Sequence, residues 1–298
     1  MTATDACALL PSLLADAGLP ADPAREPLRV WAHSGVERLR FPGQASVVLK
    51  YADTPFDHEH LALRLAEGHG IPVPHVLAAR TAPGKLAMLL DDLGEPAREA
   101  TDHDGARAAV QLHTVKGAAD PWLPRVDTSV LAAMPCRIAT RLGHLGLPGI
   151  ATLTGALEAA AAHRAAGAEL PPFGLCHSEY HPTSLHIGPH GWHLLDFARA
   201  FTGPALLDLA SWHGTLDDPD PARTTSLIES YVSLGGNQQA LAARGGLDAG
   251  SWALGWHRVW AADWFTEQIE LGWAQGAEDT WTTAITRHLT EAVALLRA

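Results

Sequence analysis

The sequence predicts an α+β protein with two lobes, a small lobe built on antiparallel strands and a larger, mainly helical lobe. With 298 residues and 47% hydrophobic content the chain can bury a large core, and this length suits two packed lobes better than one compact unit. Alternating apolar residues and turn signals predict strands in the first third, and helical spacing predominates after Ala106. We place the boundary between residues 1–94 and 95–298.

The elements of the first lobe follow from local patterns. The N-terminal stretch lacks the basic start of a signal peptide and indicates an amphipathic helix. From Leu28 to Phe41 the pattern predicts a strand, a turn around Ser34-Gly35 and a second strand, and a β-branched run that carries Lys50 forms a third strand. The elements predicted next are a helix over 57–67 with Thr54 or Asp57 as its N-cap, a strand over 86–90 and a linking segment over 91–94.

The second lobe carries an aromatic stripe. Helices are predicted over 130–142 and 153–166, and near the C-terminus four tryptophans recur every four residues, at Trp252, Trp256, Trp260 and Trp264. A stripe at this spacing usually packs on the core. It can also form the aromatic walls of a substrate pocket, and in that case Asp263 and Glu267 on the same helix are the candidate substrate contacts.

Composition limits the partners. The net charge of −12 disfavours nucleic acid and anionic membranes, and it is compatible with a cationic small substrate. No stretch approaches the roughly 18 consecutive apolar residues of a membrane helix. Three scattered cysteines indicate a reduced, cytoplasmic protein without disulfides or a zinc site. The sequence leaves the oligomeric state open.

The stretch from Leu175 to Trp212 holds the candidate chemistry. Two short apolar runs on either side of Gly188–Gly191 predict a β-hairpin with Asp196 at its end. We expect this hairpin to bring Glu179, Ser184 and Asp196 to one end. Two carboxylates and a hydroxyl suit a hard cation such as Mg²⁺, which prefers oxygen ligands.

This stretch resembles the catalytic and metal-binding loops of the aminoglycoside phosphotransferase and choline kinase family, relatives of protein kinases. The family pattern is HGDxHPxN, an apolar strand, a metal-binding Asp in I-D-W or L-D-F, and then G-x-P-x-x-D-L-A. The chain matches it with His177, His181-Pro182, Leu195-Asp196-Phe197, Gly203-Pro204 and Asp208-Leu209-Ala210. It departs from the pattern at Glu179, where the family has its catalytic Asp, and at Ser184, where the family has its second metal-binding Asn.

The resemblance implies a bilobal protein-kinase-like fold whose N-terminal lobe binds ATP or GTP. By this resemblance Lys50 binds the α and β phosphates and Glu59 pairs with Lys50. A short turn at Ser34 contacts phosphate, and the linking segment is a hinge whose backbone holds the purine. Which purine is preferred stays open.

The resemblance also implies that Asp196 and Ser184 hold Mg²⁺ and that Glu179 accepts the proton of a substrate hydroxyl. We expect His177 to brace the loop, and Asp208 to accept hydrogen bonds from the backbone or from His177. The predicted protein is therefore an O-phosphotransferase acting on a small hydroxyl-bearing molecule.

Three functions fit these residues. The first is a kinase for an antibiotic, of aminoglycoside or nucleoside type, or a similar metabolite, with a role in antibiotic inactivation or self-resistance. The second is a pseudokinase that binds nucleotide without transfer, motivated by Glu179 and Ser184. The third is a housekeeping kinase for a sugar or an amino alcohol. We prefer an active enzyme, because a decayed site would be free to lose Lys50 or Asp196.

Overall fold

The chain folds into two compact units, as seen in a computed structural model that describes residues 3–31, 33–116, 121–143 and 148–298. The first unit comprises Met1–Ala100 together with Thr183–Ala200, and the second comprises Thr101–Pro182 together with Phe201–Ala298. Cys136 and Cys176 are free thiols, and the side chain of Cys7 lies outside the described residues.

An antiparallel sheet organises the first unit. Its five strands, within the residues described, run in the order β1-β2-β3-β5-β4. They are β1 (Ala24–Val30), β2 (Ser34–Arg40), β3 (Val47–Asp53), β4 (Val76–Ala82) and β5 (Lys85–Asp91). Helix α1 (Ala3–Asp16) packs Leu10, Leu13 and Leu14 on this sheet, which confirms the predicted N-terminal helix. Helix α2 (Glu59–Gly68) lies against β4.

The turn between β1 and β2 lies earlier than predicted. Ser34 and Gly35 belong to β2, where they pair with Ala52 and Tyr51, and the turn closes through the Trp31 N–H donating to the Ser34 carbonyl at 2.8 Å. A Cβ at Gly35 would come within 2.3 Å of the Tyr51 ring. This glycine is therefore required by packing against Tyr51, and the expectation of a turn centred on it was wrong.

The N-terminus of α2 also differs from the prediction. His58 is the N-cap residue and makes no capping hydrogen bond through its side chain. The Thr54 hydroxyl instead donates to the Asp57 carboxylate at 3.1 Å, so neither residue caps the helix. These two side chains satisfy each other within the turn that precedes it.

The hairpin of β7 (Leu185–Gly188) and β8 (Gly191–Leu194) forms as predicted and belongs to the first unit. The Leu194 N–H donates to the Pro72 carbonyl at 2.9 Å, and the Ala97 N–H donates to the Ile187 carbonyl at 2.7 Å. The predicted division at residue 94 differs from this arrangement, because backbone hydrogen bonds join residues 183–200 to a unit that is distant in sequence.

The second unit is mainly helical. Its helices are α3 (Asp102–Leu112), α4 (Thr128–Leu142), α5 (Pro148–Arg164), α6 (Leu206–Ser211), α7 (Pro221–Ser233), α8 (Ala249–Glu270) and α9 (Glu278–Leu296). Helix α8 is long and packs against α4, α6, α7 and α9. Strands β6 (Phe173–Cys176) and β9 (Phe201–Pro204) pair antiparallel. Among the described residues, no helix is both long enough and apolar enough to span a membrane.

The aromatic stripe on α8 divides into two halves. Trp252 and Trp256 are fully buried, and both indole N–H groups donate to the Arg164 carbonyl at the end of α5, at 2.7 and 3.0 Å. Trp260 and Trp264 are only half-buried. The core-packing interpretation therefore holds for the first two tryptophans, and the other two face a cavity described below.

Candidate active site

An ion-paired trio occupies the first unit. Lys50 lies on β3, and its Nζ is 2.7 Å from Glu59 Oε1 on α2 and 2.7 Å from Asp196 Oδ1 at the end of the hairpin. The Lys50–Glu59 pair was predicted, whereas the direct contact between Lys50 and Asp196 was not. Because the rigid strand and a buried carboxylate hold it, the ammonium group has a fixed direction.

The electrostatics of this trio favour a charged lysine. Burial acts to lower the pKa of Lys50, but the adjacent carboxylates of Asp196 and Glu59 outweigh burial and raise the pKa above its ordinary value. The ammonium group therefore stays protonated throughout the physiological range. A permanent positive charge held in this way can bind a polyphosphate.

Asp196 has an uncommon backbone conformation. Its φ angle is 66°, in the left-handed region that is uncommon for a residue with a side chain, and such strain clusters at functional sites. The preceding residue, Leu195, donates its N–H to the Ser184 carbonyl at 2.9 Å. This bond fixes the backbone around Ser184 next to that of Asp196.

The oxygen donors at this point fit Mg²⁺. The side chain of Asp196 is 40% exposed and so remains accessible, while Ser184 is buried in a short 3₁₀ turn at Pro182–Ser184. No group of three or more His, Cys, Asp or Glu side chains that could hold a metal ion occurs in the described part of the chain. A small number of protein ligands is enough for Mg²⁺, because this ion completes its coordination shell with water and substrate phosphates.

A buried carboxylate organises the loop of residues 177–182 in the second unit. Asp208 on α6 is fully buried and accepts the N–H groups of His177 at 2.8 Å and Ser178 at 2.9 Å. These bonds confirm the expected backbone contacts to Asp208. Nε2 of His113, at the end of α3, is 3.3 Å from the same carboxylate. Ser178 adopts a φ of 78°, so the carboxylate stabilises a strained turn directly before Glu179.

Replacing Asp208 by asparagine is expected to weaken both the fold and this loop. An amide cannot accept two backbone N–H groups as strongly as a carboxylate, so the free energy of unfolding should fall by about 2–4 kcal/mol. Urea unfolding measures this change. The control is Asp279→Asn on the exposed start of α9, which should stay within about 0.5 kcal/mol of the parent. An unchanged midpoint for Asp208→Asn would contradict the role given to this carboxylate.

The other end of the loop is fixed by Tyr180, which the sequence analysis did not single out. Its hydroxyl donates to the Gly105 carbonyl at 2.5 Å, and its own carbonyl accepts the Ser211 hydroxyl at 2.7 Å. A Cβ at Gly105 would lie 2.5 Å from the ring of Trp212, which packs on Tyr180. The signal available in the sequence was a glycine inside an otherwise helical pattern.

Glu179 lines a cavity of about 330 Å³ in the second unit, within the range of small-molecule sites. Two carboxylates, Glu179 and Asp217, line it, and its described walls contain no lysine or arginine. Its lining comes from Ser178, Glu179 and His181 of the loop, from residues 211 and 214–217, and from His257, Trp260, Ala261, Trp264 and Phe265 of α8. The cavity lining therefore combines aromatic side chains with two carboxylates.

Asp263 and Glu267 are not among the described residues that line this cavity. The cavity-facing positions of α8 follow helical spacing from residue 257, and residues 263 and 267 share a different face. Asp263 accepts hydrogen bonds from Arg137 at 2.7 Å and Arg141 at 3.0 Å, both on α4. The carboxylate thus joins two helices, and the assignment of both residues as substrate contacts stays a prediction.

His257 is expected to make stability depend on pH. Burial, with help from the nearby charges of Arg258 and His288, lowers the pKa of His257 from 6.5 to about 3, and burial likewise lowers that of His288 to about 4. Between pH 6.5 and 4 the unfolded chain therefore binds more protons than the folded one. The free energy of unfolding should fall as the pH falls through this window, by at most about 1.4 kcal/mol per pH unit for each histidine.

Urea unfolding at pH 7, 6 and 5 measures this slope. His257→Gln should reduce the slope relative to the parent, because the variant lacks the suppressed protonation of this histidine. His190→Gln, in the exposed turn of the β7–β8 hairpin, is the control and should leave the slope unchanged. Equal slopes for all three proteins would contradict the prediction.

The comparisons with known proteins concern the family and the fold of the chain. Residues 36–243 match the model of the phosphotransferase enzyme family (APH). No curated protein sequence matches the chain significantly. Among solved structures, a choline/ethanolamine kinase family protein from Mesorhizobium loti has a TM-score of 0.67 at 17% identity, covering 100% of this chain and 96% of that one.

Two further solved structures have the same fold. A macrolide 2′-phosphotransferase from Brachybacterium faecium has a TM-score of 0.63 at 17% identity, covering 93% of this chain and 97% of that one. An amicoumacin kinase solved with AMP-PNP and Ca²⁺ has a TM-score of 0.58 at 14% identity, covering 98% of this chain and 96% of that one. At these identities the likeness concerns the fold, which confirms the predicted bilobal protein-kinase-like class.

The chain belongs to the phosphotransferase enzyme family, since the family model covers more than half of its length. Membership confirms the family that the motifs between His177 and Ala210 predicted. It also confirms the predicted enzyme class, a phosphotransferase with an alcohol group as acceptor.

Proposed function

We propose that this enzyme transfers the γ-phosphoryl group of ATP or GTP to a hydroxyl of an antibiotic, of aminoglycoside or nucleoside type, or of a similar metabolite. Its role would be antibiotic inactivation or self-resistance. The observation that carries the proposal is the placement of Lys50 between Glu59 and Asp196. A lysine with a purely structural role needs only one carboxylate as its partner. A lysine that also pairs with a second, partly exposed carboxylate is typical of a site that binds phosphate and metal.

Each of these residues has a defined part in transfer. Lys50 holds the α and β phosphates, with its direction set by Glu59, and Asp196 with Ser184 would hold Mg²⁺. When bound, that ion neutralises charge on the β and γ phosphates. Glu179 accepts the hydroxyl proton as the acceptor oxygen bonds to the γ-phosphorus. The bond from that phosphorus to the bridging oxygen breaks, and the nucleoside diphosphate leaves with the electron pair.

The remaining contacts to nucleotide are proposals of the same kind. Ser34, as the first residue of β2, would contact phosphate beside the β1–β2 turn. The hinge is braced by Asp92, whose carboxylate accepts hydrogen bonds from Arg38 at 2.6 Å, Ser46 at 2.6 Å and the Gly94 N–H at 3.0 Å. A hinge held in this way offers fixed backbone groups to a purine edge. The AMP-PNP and Ca²⁺ in the amicoumacin kinase support the use of nucleotide with a divalent metal.

The cavity around Glu179 supports a cationic or neutral acceptor. Its described walls contain the carboxylates of Glu179 and Asp217 and no lysine or arginine, so they disfavour an anionic acceptor. Trp260 and Trp264 provide aromatic surface that can contact a ring or an amine of the acceptor. A cytoplasmic location and the absence of a nucleic-acid partner remain predictions.

The first experiment is mass-spectrometric detection of a phosphorylated product. Purified protein is incubated with Mg²⁺, with ATP or GTP, and with a panel of aminoglycosides, nucleoside antibiotics, sugars and amino alcohols. A product that carries one added phosphoryl group is expected with an antibiotic acceptor. A product only with a sugar or an amino alcohol would favour the housekeeping kinase. Nucleotide binding without any product would favour the pseudokinase that Glu179 and Ser184 motivated.

A further inference from the structure

Two arginines hold one wall of the cavity that contains Glu179. Arg258 on α8 donates to the carbonyls of Thr215 at 2.5 Å and Asp217 at 2.7 Å. Arg287 on α9 donates to the carbonyl between them, that of Leu216, at 2.7 Å. Three successive backbone carbonyls therefore face two guanidinium groups. Residues 215–217 are also the segment that lines the cavity.

One carboxylate couples the two arginines. Glu291 on α9 lies 2.8 Å from Arg258 Nε through one oxygen and 2.7 Å from Arg287 Nε through the other. Arg287 also lies 3.1 Å from Asp218. The guanidinium of Arg258 is 1% exposed, and burying a charge requires compensation from partners. Carbonyl acceptors and Glu291 provide that compensation, so the position of the segment depends on this network.

The segment lies outside the regular elements. Residues 213–219 belong to no helix or strand, with bends at 215–217, and Leu216 is 76% exposed, a large apolar side chain left open at the cavity. An exposed leucine with its own carbonyl held by an arginine suits contact with a ligand better than a role in the core. The backbone is held on the side of α8 and α9 while these side chains line the cavity.

We propose that Arg258, Arg287 and Glu291 are positioning residues that hold the 215–217 segment as a wall of the acceptor site. The identity of the acceptor rests on the proposed function, whereas the geometry of the wall does not depend on it. Acceptor affinity should depend on this network, whereas nucleotide affinity should not, because nucleotide is assigned to residues of the first unit.

The test compares Arg287→Ala with Arg287→Lys and with a control, Arg125→Ala. Arg287 is 39% exposed, so its loss is tolerable for folding, and Arg125 forms a similar exposed pair with Glu169 in the same unit. Hydrogen–deuterium exchange of residues 213–219 reports on the wall without any acceptor. Arg287→Ala should speed exchange there by about tenfold, the size expected for losing a charge-assisted hydrogen bond, with the lysine variant closer to the parent.

Kinetics with the acceptor found in the product panel form the second arm. Arg287→Ala should raise the acceptor KM by about tenfold while kcat and the ATP KM change by less than about twofold, and the lysine variant should regain most of the loss. Equal exchange in all variants overturns the proposal, as does a parallel rise of both KM values. If the parent phosphorylates nothing in the panel, the proposed function fails, and the exchange arm still decides whether the network holds the wall.

Discussion

Replacing Asp196 by asparagine is expected to lower kcat/KM by about 10³-fold while the protein stays folded. The amide keeps the shape of the side chain but loses the charge that pairs with Lys50 at 2.7 Å and that would bind Mg²⁺. Lys50 would retain Glu59, so the first unit keeps one of its two ion pairs there. Steady-state kinetics with the acceptor from the panel and urea unfolding measure the two effects.

A matched control is available in the same unit. Asp16 pairs with Arg80 at 2.7 Å, and its side chain is 40% exposed, the same fraction as that of Asp196. Asp16→Asn should leave kcat/KM within about twofold, since an exposed ion pair contributes at most about 1 kcal/mol to stability. If Asp196→Asn retained a tenth or more of the parental activity, the assignment of Asp196 to the reacting phosphates would be wrong.

Replacing Glu179 by glutamine is expected to lower kcat by about 10²–10⁴-fold with little change in either KM. The amide occupies the same space in the cavity but cannot accept the hydroxyl proton. Glu169→Gln is the control, because that carboxylate is exposed and forms a surface pair with Arg125 at 2.9 Å. Full activity of Glu179→Gln would show that another group is the base.

Glu179→Asp then decides how the site tolerates its departure from the family pattern. Aspartate shortens the side chain by one methylene and restores the residue found in the pattern. Because a misplacement of about 1 Å can change a rate about 10²-fold, either outcome should be large. Higher activity would show that glutamate is a tolerated defect, and lower activity would show that the cavity is shaped for the longer side chain.

Some of the site could be predicted because its signals are local. The family resemblance implied that Lys50 pairs with Glu59, and the two residues lie only nine positions apart in the sequence. The hairpin before Asp196 followed from two apolar runs around a glycine turn. Asp208 was correctly expected to accept backbone hydrogen bonds, although the contact from His113 was not predicted.

Other features depend on contacts that no local pattern contains. Lys50 meets Asp196 across 146 residues of sequence. Asp263, a candidate substrate contact, is bound by Arg137 and Arg141 of a helix that is distant in sequence. Gly35 indicated a turn by its residue type, and only the position of the Tyr51 ring shows why glycine is needed there.

The sequence by itself determined the family, the two-lobed α+β class and the identity of the principal candidate residues, because periodicity and motif spacing act over short stretches of chain. The tertiary structure decided which partner each charged side chain has, which tryptophans line a cavity, and that the β7–β8 hairpin belongs to the first unit. These properties depend on packing between elements that are far apart in sequence. A charged side chain pairs with whichever oppositely charged group this packing places next to it.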